Sequence, residues 1–167
     1  MSAIDRPFEN TDIHPIDIVE TFAEQSAWDF DRMGEDQIAM SVEGAWRHYS
    51  LSLAWSERDD LLRLIATFEL KPPEGRENDM RRLIGEINDR IWHGGFSLWP
   101  DQGLLAFRYG LTLAGGASAT PEQIEHMILS ALALSEKFYP AFQSCAFTEM
   151  EADEALEMVI EDAYGTA

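Results

Sequence analysis

Between residues 28 and 70 the apolar side chains fall on every second position, four times over. Trp28 and Phe30 alternate with Asp29 and Asp31. Ile38, Met40 and Val42 follow, then Tyr49, Leu51, Leu53 and Trp55, then Leu62, Leu64, Ala66, Phe68 and Leu70. A period of two sends alternate side chains to opposite faces of a strand, so each run buries one face and wets the other. The runs are separated by "MGED", Gly44 and "SERDD", all turn chemistry. Strands joined by such short connections are antiparallel neighbours. The pattern predicts a four-strand meander with one buried face. The 61–70 run is Leu-rich enough for a helix, but its short flanking turns favour a strand.

A one-sided sheet needs cover, and the rest of the chain has the helical period to supply it. Pro15, ahead of Ile18, Val19, Phe22 and Ala23, predicts a first helix over about 15–26. Pro72-Pro73 ends the fourth strand. Met80, Leu83, Ile84, Ile87 and Ile91 share a face of a second helix, which Gly94-Gly95 is expected to close, with His93 against its dipole. Next comes "GGFSLWPDQGLLAFRYGLTLAGG". Phe96 and Leu98 alternate, "PDQG" turns, and Leu105, Phe107, Tyr109, Leu111 and Leu113 alternate again, which reads as a hairpin. The glycines at the ends of these runs, Gly94-Gly95, Gly103 and Gly115-Gly116, are therefore read as turn residues. "LAGGASATPEQ" does lie between a strand and a helix, but it lacks the Lys and the spacing of a phosphate loop. Thr120, Pro121 and Gln123 instead make a capping box for a third helix. That helix carries Ile124, Met127, Ile128, Ala131, Leu134, Ser135, Phe138, Phe142 and Cys145 on one face, to about residue 146, kinked at Pro140. A last helix over about 151–163 shows Ala155, Leu156, Val159 and Ile160 on one side and acids on the other. Leu51, Leu53, Leu64, Phe68, Ile84, Ile87, Phe107, Tyr109, Ile128 and Phe138 are expected to share one core.

Charge narrows the partners. The 31 acids and 12 bases give a formal net charge of −19. Phosphate backbones and anionic bilayers both repel such a chain, so neither nucleic acid nor membrane is expected as a partner. No Lys or Arg follows Lys137, and seven carboxylates lie between Glu149 and Asp162, which reads as a solvated helix face. The N-terminus "MSAIDRPFENTDIHP" has no apolar signal core, and no apolar run approaches the roughly 18 residues of a membrane span. A lone cysteine, Cys145, fits a reducing compartment, and a cytoplasmic protein is expected. The 167 residues fit a flexible segment over 1–13 and a single domain over 14–165.

Catalytic signals are absent from the pattern. His14, His48, His93 and His126 have no metal-ligand spacing and read as surface or capping histidines. Cys145 on an apolar helix face predicts a buried thiol. Asp29 and Asp31 point the same way from one strand, as a solvated edge does. No catalytic residue, metal or cofactor is expected. The aromatic residues are more suggestive, because exposed aromatic surface marks interfaces. Trp46, Trp55 and Trp99 lie near strand ends, and Tyr139 and Phe142 belong to "KFYPAFQSCAF". These five are the candidate protein-binding residues.

"GGFSLWPDQGLLAFRYGLTLAGGAS", "PEQIEHMI" and "EKFYPAFQ" together resemble the YbjN family, small bacterial proteins labelled as sensory transduction regulators. The resemblance spans about 14–165 and is most specific over 94–144. Where the family continues after the third helix with a Trp-Gly-Gly-Lys-like turn, this chain reads "AFTEMEADEA". The resemblance implies an α+β fold like that of type III secretion chaperones, a twisted antiparallel sheet packed against helices, and it implies no catalytic residues. The expected function is thus a non-enzymatic regulator or chaperone-like protein that binds another polypeptide and pairs as a homodimer. The alternative is a small-ligand sensor or enzyme with a pocket between sheet and helices.

Overall fold

The computed structural model describes residues 13–164, with side chains as far as residue 160. Of the flexible segment expected over 1–13, all but Ile13 lies outside the described residues, and so does Gly165 at the far end of the expected domain. The described chain is an α+β fold. In order it forms α1 (Pro15–Gln25), β1 (Asp29–Arg32), β2 (Gln37–Glu43), β3 (His48–Ser56), β4 (Leu61–Glu69), α2 (Glu77–Asn88), β5 (Gly95–Trp99), β6 (Leu104–Thr112), α3 (Pro121–Phe147) and α4 (Ala152–Tyr164). One antiparallel sheet takes the strands in the order β1-β2-β3-β4-β6-β5. The meander is there as its periodicity requires, and 61–69 is a strand. The hairpin joins it through β6, which pairs with β4 from Leu61↔Thr112 to Glu69↔Leu104.

The inward rows of the strands, from Ile38 and Met40 to Phe107, meet the apolar faces of all four helices in one core running from Ile16 to Val159. Every residue expected to share that core is buried except Tyr109, which is half-buried on its margin beside the His93 ring. His14 opens α1, its Nδ1 accepting from the Ile16 N–H at 3.1 Å. Arg32 ties β1 to that helix through Asp17 at 2.6 Å and Glu20 at 2.8 Å. The capping box on α3 forms in both directions, Gln123 N–H to Thr120 Oγ1 at 3.1 Å and Thr120 N–H to Gln123 Oε1 at 2.9 Å. The helix then runs unbroken past Pro140 to Phe147. Among the described residues no helix is long and apolar enough to cross a membrane.

The second helix departs from its expected end. It stops at Asn88, so Ile91 lies beyond it and Gly94-Gly95 do not cap it. Asn88 is the reason: its amide donates to the Phe96 carbonyl at 3.0 Å, and its Oδ1 accepts from the Phe96 N–H at 2.8 Å. The side chain thus takes the place of a seventh strand at the outer edge of β5. His93 consequently stands in a connecting segment, away from the helix dipole. Gly94 has φ +75°, and a Cβ there would run into the Arg108 carbonyl and the Phe107 ring, so the position admits only glycine.

Candidate functional site

The helices cover one face of the sheet, and the other face carries a groove lined by strand residues alone. Its volume is about 660 Å³. Asp29 and Asp31 of β1 stand at one end, and Trp99 of β5 and Leu104 of β6 at the other. In a flat sheet β1 and β5 would be about 24 Å apart. Strand twist must curl the sheet for both to line one hollow.

The floor follows from register. Asp29, Ser41, Ser50, Thr67, Ala106 and Ser97 are successive cross-strand partners, one from each of the six strands. A second row runs Asp31, Ala39, Ser52, Ile65. Of the first row, Asp29, Ser41, Ser50 and Thr67 line the groove, while Ala106 is wholly buried; small side chains of β2, β3 and β4 thus form the floor between the acids of β1 and the Trp99–Leu104 end. Arg63 and Arg108 occupy outward positions as well, but they do not line the groove.

The five candidate interface residues do not form one site. Trp99 is half-buried at the end of the groove. Trp46 is 54% exposed in the β2–β3 turn and stacks on Tyr139, centroids 6.0 Å apart. Tyr139 is buried, and Arg47 Nε donates to its hydroxyl at 2.8 Å while the Ala45 N–H donates to Glu136 at 3.0 Å, so the turn is docked on α3. Phe142 lies wholly inside the core against Phe96, centroids 5.1 Å apart. Trp55 is half-buried at the other end of β3, in a small hollow shared with His14 and Leu113. Helix periodicity put Phe142 on the apolar face, and that face, together with Tyr139, is occupied by the chain's own core.

Burial pushes the Cys145 thiol above its ordinary value, which keeps it protonated and a poor nucleophile. The phenol of Tyr49 is pushed up as well, by burial first and then by the neighbouring Glu136 carboxylate. His14 hydrogen-bonds Asp36 at 2.9 Å, and His48 bonds the Ser41 hydroxyl on the groove face. Among the described residues no three His, Cys, Asp or Glu side chains gather as metal ligands, and Asp29 and Asp31 have no third partner. The groove holds no paired acid and base. Its lining combines small polar side chains, apolar ones and, at one end, two carboxylates.

A family model described as "YbjN: Putative bacterial sensory transduction regulator" matches residues 15–144. No curated protein matches the chain in sequence. Among solved structures, one similar to it is "Crystal structure of YbjN, a putative transcription regulator from E. coli", at 13% identity and a TM-score of 0.49, covering 92% of this chain and 94% of that one. Another is "Structure of the HopA1-SchA Chaperone-Effector Complex", at 14% identity and a TM-score of 0.47, covering 76% of this chain and 93% of that one.

Proposed function

Because the chain belongs to the YbjN family, we propose that it is a non-enzymatic cytoplasmic regulator, acting as one domain over about residues 14–165, whose task is to bind another polypeptide along the open face of its sheet. The observation that carries this reading is the groove on the open face, to which all six strands contribute and whose floor is made of small side chains of β2, β3 and β4. An extended segment of about seven residues spans such a width. It would place an apolar side chain against Trp99 and Leu104, and a Lys or Arg beside Asp29 and Asp31. The small floor residues let its backbone lie close, and the acidic end supplies orientation rather than bulk affinity.

The reading includes self-association. Trp46 and Phe147 are large apolar side chains about half exposed, both on or against α3. They suit the contact of a symmetric dimer, and pairing there leaves the groove free.

The test fills the groove. Ser52→Tyr and Ser50→Arg project from the exposed face and should leave thermal stability within about half a kcal/mol. Wild-type protein should retain a defined polypeptide from the native organism, identified by mass spectrometry and rebound as a purified chain. Both variants should lose it, and Trp99→Ala should weaken it. Equal retention by wild type and both groove variants would overturn the reading.

A further inference from the structure

A second hollow lies on the helical side of the molecule, away from the groove. The 90–93 segment between α2 and β5, the middle of α3 and the end of α4 enclose it. Its volume is about 840 Å³, within the roughly 300–1,000 Å³ of small-ligand sites. Two kinds of wall meet there. Ile91, Leu134, Phe138 and Ile160 make an apolar wall, and Arg90, Lys137, His93 and His126 bring basic side chains to the same space.

That combination runs against the composition. Acids outnumber bases 31 to 12 in the chain, yet no Asp or Glu is among the described residues that line this hollow. The ion pairs among the described residues engage neither Arg90 nor Lys137. Arg90 Nη1 donates to the backbone carbonyl of Glu86 at 2.7 Å, a neutral acceptor, and its charge, although felt by the Glu86 carboxylate, is held in no close ion pair among the described residues. Lys137 Nζ lies over the Phe138 ring, 5.2 Å from its centre. The two imidazoles meet edge to face, centroids 5.7 Å apart, between β5's approach and α3. Trp92 lines the same hollow and is 95% exposed, the most exposed large apolar side chain among the described residues.

We propose that this hollow binds an amphipathic organic anion, its carboxylate held by Arg90 and Lys137 and its acyl or aryl body laid against Leu134, Phe138 and Ile160. The protein's overall negative charge does not forbid this, because screening limits distant acids to a range of about 8 Å at physiological salt. The proposal goes beyond the polypeptide-binding reading and does not rest on it; the two sites use different residues on different faces.

The probe is dodecanoate, with dodecanol as its uncharged twin, each displacing the fluorescent anion 8-anilinonaphthalene-1-sulfonate from the full chain. Dodecanoate should displace the dye at one saturable site, and dodecanol should need about tenfold more or fail, since a hydrogen bond to a charged group is worth about that factor. Arg90→Gln and Lys137→Gln should each weaken dodecanoate about tenfold, with unchanged melting temperatures and unchanged dodecanol binding. Ser52→Tyr, in the groove, should leave dodecanoate untouched. The proposal is overturned if the acid and the alcohol compete equally, if both cation variants bind as wild type does, or if Ser52→Tyr abolishes binding. It is also overturned if Trp92→Ala converts a dimer to a monomer, because the hollow is then an interface between copies.

Discussion

Phe107 is the residue on which the two halves of the sheet converge. It pairs with Ala66 of β4 and Phe96 of β5, stacks edge-on against the latter at 5.1 Å, and is wholly buried. Phe107→Ala removes a ring that nothing nearby can replace, and should cost roughly 3–5 kcal/mol in denaturant unfolding; a loss under about half a kcal/mol would show that the cavity collapses freely. Its inward position was legible from alternation with Leu105 and Tyr109, because register follows from a period of two. Asn88 was not. Its two bonds to the Phe96 backbone join residues brought together by a turn, and nothing in a helical pattern marks a polar residue that will serve as a strand. The aromatic candidates divide for another reason: sequence counts rings, and burial decides which are available.

Helices and strands were legible wherever hydrophobic period and turn chemistry agreed, as in β2, β3, β4 and the capped start of α3. What stayed hidden is how elements curve and meet. The groove needs the sheet to curl until Asp29 and Trp99 share a hollow, and that curl is a property of six strands together. Its one local sign was Ser and Ala at outward positions such as Ser41, Ser50 and Ser52. The hollow proposed for an organic anion likewise draws on three separated segments. The joint between α2 and α4 permits a sharper prediction. The neighbouring Asp153 carboxylate comes first, then burial, and together they raise the Glu86 carboxyl above its usual value; Arg82, 3.3 Å from Asp153 and 3.9 Å from Glu86, and Arg90 offset this in part. A carboxyl raised on folding binds its proton more tightly in the folded state. Its contribution is therefore full below about pH 4.3 and is lost as pH rises through the folded value. Glu86→Gln should melt higher than wild type at pH 7, and the two should converge near pH 4. A gap that widens in acid would contradict the assignment.

At the scale of the whole molecule, charge and assembly are linked. Two chains of −19 repel one another, so a dimer built on Trp46 and Phe147 should loosen as salt is removed. Sedimentation equilibrium across salt concentrations should find mass above the 18.9 kDa of one chain at physiological salt, shifting toward it at low salt; one chain's mass at every salt and concentration would rule pairing out. The path by which the chain reaches its fold follows from a different feature. The meander closes through tight turns, but β6 meets β4 only after the chain has travelled through α2 and β5. Closing that loop costs entropy before any contact returns it. Substitutions at the β4–β6 junction, Ala66→Gly among them, should therefore act mainly on the folding rate, while weakening α4, as by Leu156→Ala, should act mainly on the unfolding rate. Stopped-flow rate measurements across denaturant would separate the two. In a chain with this strand order, the slow event is expected to be the return of a hairpin to a strand left behind much earlier, with the acidic last helix docking after it.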